Sequence, residues 1–340
     1  MERLPTGAKR SIVISQHRID LLTSGLGEMG SVKISRPQKP FENNEHIGAF
    51  ADISFEITGD VEMGTETISF DARIHYVDEG EGTPLLLIHG IGQSLYTWRN
   101  NIAFFAKNGF RVVAPDLAGF GYSSHPNIYY TVEEQALILR TFMDKLGLGK
   151  VCIAAFSTGC LSAVCLAAEH PERVSRLALI SPGGPNEHYP FAVRALTTWV
   201  GHRLFPLLVS ESSMKNLLHG MYFDATKLTD AVAAGYAQPY RSADVRETLV
   251  MTLLHHDDAY PRSLLKSITQ PVLVFSGLED RMHPDEMVRV YAVNIPGANH
   301  IRMRNCGHFV HEEKCAKFNT EVLSFFQNPA NVGYGRMRSI

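Results

Sequence analysis

Three residues far apart in the chain have the types that nucleophilic catalysis needs, and each closes an apolar run. In "VCIAAFSTGC", Val151 to Cys160, the run stops at Ser157, with Ala155 two positions before it and Gly159 two after. A serine pushed out on a tight turn between a strand and a helix needs small neighbours at those places, so the stretch reads as a nucleophile elbow with alanine at the first small position. The hydroxyl attacks only when a base takes its proton, and the base needs an acid to orient it. Asp280 ends "PVLVFSGLED", and His308 ends "HIRMRNCGH" just before the last helix. Glu279 is the neighbouring acid; side chains alternate at a strand end, so one of the two faces His308, and Asp280 is preferred. Taken singly, a serine or aspartate at a helix start is usually a cap and a histidine is usually structural. Together, each at the end of a strand, they point to a Ser-Asp-His triad.

A carbonyl under attack develops negative charge and needs two N–H donors aimed at it. The glycine turn of "LLLIHGIGQS" follows another apolar run and offers the Ile91 backbone as one donor; Thr158, directly after the serine, offers the other. His89 before that turn reads as its brace, and Asp116 in "APDLAGFG" as a loop-bracing acid. No metal site and no cofactor are expected. "HHDD", His255 to Asp258, puts adjacent side chains on diverging faces of a helix, and "HEEK" at His311 lacks the HExxH spacing. "GLGEMG", Gly25 to Gly30, has GxGxxG spacing, but it lacks the preceding strand and opening helix that would give it meaning.

The elements that must position these residues follow from periodicity. "ISFEIT", "TISFDARIHYVDEG", "PLLLIHG", "RVVAPDL", "VCIAAFS", "LALISP" and "PVLVFSG" are apolar or alternating runs bounded by turn residues, and the later ones are continuous, as parallel strands covered on both faces are. Thr131 with Glu134 makes a capping box, Leu139, Phe142, Met143 and Leu146 follow at helical spacing, and Gly147 supplies the stop. Strands alternating with helices predict a parallel α/β sheet. The predicted organisation is an irregular arm over 1–50, a first core part over 51–182, a helical cap over 183–269, a second core part over 270–328 and a tail over 329–340. In the cap, Trp199, Phe205, Tyr222 and Tyr236 are expected to line an apolar substrate pocket.

The motifs "HGIGQSLYTWRNN", "VVAPDLAGFGYSS", "AFSTGC", "HPERVSRLALISP", "GLEDRMHP" and "CGHFVHEEK", in that order across about 65–327, resemble those of the α/β-hydrolase superfamily. The resemblance implies an eight-stranded, mostly parallel sheet with a helical cap inserted after the sixth strand, and a serine hydrolase mechanism. It also implies the chain order serine, acid, histidine. Ala155 and Cys160 stand where the family usually has glycine. The expected function is hydrolysis of an ester, thioester or lactone of a largely apolar small molecule through an acyl-enzyme on Ser157. Two alternatives stand beside it. One is a meta-cleavage-type C–C hydrolase, with Arg194 or Arg241 holding a substrate carboxylate; the other is a ligand receptor on the same fold that does not turn its ligand over.

Composition narrows the partners. The 340 residues carry a formal charge of −3 with no acidic or basic tail, so nucleic acid is not an expected partner. The longest apolar runs fall far short of the ~20 residues of a membrane helix, and the first residues lack the apolar core of a signal peptide. A cytoplasmic protein acting on a small molecule is the expectation. The five cysteines form no CxxC pair and read as free thiols.

Overall fold

In the computed structural model the described residues are 48–61, 64–184, 211–327 and 337–340. Two long strands, β1 (Ala49–Val61) and β2 (Gly64–Glu79), pair antiparallel as a hairpin. β3 (Thr83–Ile88), β4 (Phe110–Pro115), β5 (Val151–Phe156), β6 (Val174–Ile180), β7 (Val272–Gly277) and β8 (Asn299–Met303) form the parallel body, and β2 joins it antiparallel against β4. A short β9 (Met337–Ser339) adds parallel to β8, so the sheet runs β1-β2-β4-β3-β5-β6-β7-β8-β9.

Among the described residues the sheet therefore has nine strands where eight were expected, and the segment expected as a tail supplies the ninth. Its backbone pairs with the outer edge of β8, the Ile340 amide donating to Arg302 O at 2.9 Å and the Arg304 amide to Ile340 O at 2.9 Å. All three residues of β9 are exposed, so the strand is held by its ladder and left no apolar alternation to read in the sequence.

The continuous apolar runs are explained by helices on both faces. Successive side chains of a strand point to opposite sides, and here they enter two cores. Leu86, Ile88, Ile153, Ala155, Leu177 and Leu179 pack on one side with α2 (Val132–Lys145) and α3 (Gly159–Glu169). Leu85, Leu87, Ala154, Phe156, Ala178 and Phe275 pack on the other, with α1 (Ile102–Lys107) and the last helix, α10 (Cys315–Gln327). The capping box at the start of α2 forms as expected, the Thr131 amide donating to Glu134 Oε2 at 2.9 Å and the Glu134 amide to Thr131 Oγ1 at 3.3 Å.

Between β6 and β7 the described chain is helical: α4 (Glu211–His219), α5 (Asp230–Ala237), α6 (Ala243–Leu254) and the short α7 (Ala259–Ser263). Met214, Leu218, Tyr222, Ala233, Tyr236 and Val245 of this insertion belong to the same apolar cluster as Phe156 and Phe309. Within the expected cap, residues 185–210, which include Arg194, Trp199 and Phe205, lie outside the described residues, as do residues 1–47 and their glycine motif. After β7 come α8 (Asp285–Asn294), then β8, then the four-residue α9 (Val310–Glu313) ahead of α10. No described helix is long and apolar enough to cross a membrane.

Candidate active site

Ser157 leaves β5 with φ of 53°, a left-handed conformation that a serine holds only where its surroundings fix it. They do so on three sides. Its amide donates to Ile180 O at 2.9 Å. A Cβ on Gly159 would lie 2.3 Å from His89 O, and a Cβ on Gly90 would lie 2.9 Å from Ser157 Cβ. Both glycines are thus required by close approach of the elbow to the turn after β3. The fully buried Cys160 directs its thiol at Ala155 O, 3.0 Å away, which accounts for a side chain where the family usually has none.

The structure brings Ser157, Asp280 and His308 together. Ser157 Oγ lies 3.2 Å from His308 Nε2, and His308 Nδ1 donates to Asp280 Oδ2 at 2.7 Å. All three are buried, at 3–4 % exposure. The other Asp280 oxygen, Oδ1, accepts from the amides of Met282 at 2.8 Å and His283 at 3.0 Å, so the carboxylate cannot rotate off the histidine. Burial pushes the Asp280 carboxyl up, but the charge and hydrogen bond of His308, with help from the bond donated by the His283 amide, outweigh it and hold it below the usual carboxylate range. Glu279 is turned elsewhere: its Oε2 accepts from the Cys306 amide at 2.9 Å.

His308 is fixed by its backbone as well. Its amide donates to Met221 O in the insertion at 2.8 Å, and its carbonyl accepts from Ser181 Oγ at 3.0 Å. The preceding Gly307 amide donates to Glu313 Oε1 at 2.8 Å. His283 stands edge-on to His308 with ring centroids 4.9 Å apart, and burial lowers its own pKa to about 4, so at neutral pH it adds no charge beside the base.

The two residues expected to supply oxyanion donors are in contact, with one departure. The Ile91 amide is not free: it donates to the side-chain oxygen of Thr158, Oγ1, at 2.6 Å. His89 takes the Leu117 amide on Nε2 at 2.8 Å, which leaves Nδ1 as the donor to Gly90 O at 2.8 Å. Both ring nitrogens are spent on holding the loop. Asp116 braces the same loop, accepting from the Leu95 amide at 2.6 Å, the Tyr122 amide at 2.9 Å and His75 Nδ1 at 2.7 Å. From the insertion, Tyr240 donates its hydroxyl to Gly92 O at 2.6 Å.

Tyr222 and Tyr236, expected on the pocket wall, have their hydroxyls committed to a buried ion pair. Arg99 donates twice to Glu312, from Nη1 to Oε1 at 3.0 Å and from Nη2 to Oε2 at 2.6 Å. Tyr222 donates to Oε2 at 2.6 Å, Tyr236 donates to Oε1, and Thr97 lies within 3.2 Å of Oε1 and 2.7 Å from His311 Nε2. The Tyr222 ring stacks on Phe309 with centroids 4.7 Å apart. Burial pushes the Glu312 carboxyl up, and the Arg99 guanidinium overrides that and holds it below the usual range. Sequence reasoning missed this cluster, although its signal was present: two acids follow His311 in "HEEK", on a helix that must be buried against the sheet. Arg241, one of the two arginines that the C–C hydrolase alternative would use to hold a substrate carboxylate, is exposed. In "HHDD", His255 bonds back to Met251 O of α6 at 2.9 Å and packs on Tyr129.

Residues 83–314 match the model of the family described as alpha/beta hydrolase fold. The chain belongs to the α/β-hydrolase family. It is 31 % identical over 282 residues, 78 % of its length and 93 % of the other's, to a 2-hydroxy-6-oxononadienedioate/2-hydroxy-6-oxononatrienedioate hydrolase of Burkholderia vietnamiensis (strain G4 / LMG 22486). Among solved structures it is similar to a meta-cleavage product hydrolase from Pseudomonas fluorescens IP01, with a TM-score of 0.66, 26 % identity and coverage of 75 % of this chain and 94 % of that one. It is also similar to the enol-lactonase from Burkholderia xenovorans LB400, with a TM-score of 0.65, 26 % identity and coverage of 76 % and 97 %. These α/β-hydrolase relatives are hydrolases of small molecules, and this chain is a hydrolase of the same fold.

Proposed function

We propose that this α/β-hydrolase cleaves an ester, thioester or lactone of a largely apolar small molecule through an acyl-enzyme on Ser157. The observation that carries the reading is the hydrogen-bonded series Ser157 Oγ, His308 Nε2, His308 Nδ1, Asp280 Oδ2, set at strand ends with the serine on a strained elbow. As Ser157 Oγ bonds to the carbonyl carbon, His308 takes its proton and the carbonyl electron pair moves onto oxygen. Collapse expels the leaving group, which receives that proton from His308. Water, activated by the same base, then releases the acid. Asp280 keeps the Nδ1–H tautomer and balances the imidazolium. The insertion between β6 and β7 acts as a cap over the site, with its pocket-facing residues setting substrate preference.

A second reading is C–C bond hydrolysis, favoured by curated relatives such as the B. vietnamiensis protein named above and a 2-hydroxy-6-oxo-6-phenylhexa-2,4-dienoate hydrolase of Burkholderia cepacia, 29 % identical over 272 residues. It would use the same base and acid, with a carbon leaving group to protonate. A receptor that binds without turnover is the remaining alternative.

The test is a fluorophosphonate probe followed by a substrate panel. The expected result is one phosphonyl group on the peptide holding Ser157, loss of labelling and turnover in Ser157→Ala, and faster turnover of p-nitrophenyl esters and lactones than of dienoate C–C substrates. Labelling at another serine sinks the acyl-enzyme reading. A preference for dienoates moves the assignment to C–C hydrolysis, and labelling without any turnover moves it to the receptor.

A further inference from the structure

The contact between Ile91 and Thr158 recasts the oxyanion hole. Thr158 opens α3 with helical backbone angles, φ −61° and ψ −27°, and its side chain makes no capping bond to that helix. Its oxygen instead accepts the Ile91 amide at 2.6 Å, while its own amide and hydroxyl hydrogens have no acceptor among the described residues. An oxygen that receives an N–H bond becomes a stronger O–H donor. Two such hydrogens on the residue directly after the nucleophile are what a developing oxyanion requires.

We propose that the Thr158 hydroxyl is a direct oxyanion donor beside the Thr158 amide, and that the Ile91 amide acts through it as a positioning group. The alternative is a plug, in which the substrate oxygen displaces Oγ1 and takes the Ile91 amide for itself. Threonine opposes that exchange. Its Cβ carries two heavy atoms, so one of the two rotations that remove Oγ1 puts the methyl group in its place, and either rotation strips the hydroxyl of its 2.6 Å partner. During attack, Ser157 Oγ bonds to the carbonyl carbon, its proton passes to His308 Nε2, and the carbonyl electron pair becomes the oxyanion that both Thr158 hydrogens meet.

The inference rests on the serine-hydrolase reading, and Thr158→Val and Thr158→Ser test it separately. Valine keeps the branched shape and removes the hydroxyl; serine keeps the hydroxyl. Kinetics on a p-nitrophenyl ester and rates of phosphonylation by a fluorophosphonate are measured for both, with thermal melts to show equal folding. Thr158→Val is expected to lose about 10²-fold in kcat and in phosphonylation rate with KM within about twofold, and Thr158→Ser to stay within about fivefold of the parent. Equal or faster reaction in Thr158→Val overturns the inference, because the freed Ile91 amide then serves as the donor. Absence of Ser157 labelling in the parent protein overturns the serine-hydrolase reading and the inference with it; labelling at the same rate in parent and Thr158→Val overturns the inference alone.

Discussion

On the sheet side of the site, Ser157, Asp280 and His308 are placed by backbone. An amide on Ile180 O, two amides on one Asp280 oxygen and a carbonyl gripped by Ser181 set the three positions, and the side chains need only extend from them. On the insertion side the structure is held by side chains meeting in the interior. Thr97 and Arg99 come from the turn after β3, Tyr222 from beyond α4, Tyr236 from α5 and Glu312 from α9, all converging on one carboxylate. The first arrangement fixes chemistry with little buried charge beyond the triad. The second joins two parts of the fold by burying an ion pair that is stable only while every partner is present. Substitutions on the sheet side should therefore act on rate, and those at the seam on stability.

Asp280→Asn gives the largest expected separation. It should lower kcat about 10⁴-fold by allowing the wrong tautomer of His308, while thermal melting shifts little. Glu279→Gln, whose parent carboxylate serves the Cys306 amide, should stay within about threefold in kcat. Equal losses from the two would break the distinction between the acids.

Glu312→Ala should do the reverse. It strands the Arg99 guanidinium in the interior and should cost about 3–5 kcal/mol in denaturant melts, with kcat of the folded fraction falling far less than in Asp280→Asn. Replacing both partners, Arg99→Met with Glu312→Leu, together with Tyr222→Phe and Tyr236→Phe, should recover most of that stability, since neither a charge nor a tyrosine hydroxyl is then left buried alone. If the combined replacement is as unstable as the single one, the seam is held by shape and the ion-pair account is wrong.

The sheet side was legible because each of its requirements is local. A serine needs small residues at fixed spacing, and an acid and a base need to end apolar runs; Ala155, Gly159, Asp280 and His308 satisfy these within short stretches. The seam was not legible, because its members lie as much as 215 positions apart and are brought together only by packing. Tyr222 and Tyr236 show the limit well. An aromatic in a helical insertion can face a pocket or a core, and only the position of Glu312 decides between them. Thr158 shows a finer limit: its place after the nucleophile is readable, whereas the direction of its hydroxyl is not. β9 was hidden for the opposite reason, being held by backbone bonds that any sequence can make.

The smallest expected effect sharpens the comparison through pH. Burial holds His283 at about 4 and His311 at about 3, below the ordinary value of 6.5. Between pH 6.5 and about 4 the unfolded chain takes up those protons and the folded one does not, so stability is complete above 6.5 and falls as pH drops. The slope is about 1.4 kcal/mol per pH unit for each histidine. His311→Gln should flatten the decline seen in denaturant melts between pH 6.5 and 4.5, whatever it does to absolute stability. An unchanged slope would show that acid sensitivity arises elsewhere.

The bonds from the Met221 carbonyl to His308 and from the Tyr240 hydroxyl to Gly92 give the insertion a second meaning. An insertion that only packed on the sheet could be exchanged between relatives as a module. This one contributes an acceptor to the segment carrying His308 and a donor to the loop after β3 that carries Ile91. Diversification of the insertion is therefore constrained in side chain at Tyr240, whereas at Met221 only the path of the backbone must be kept, since any residue supplies that carbonyl.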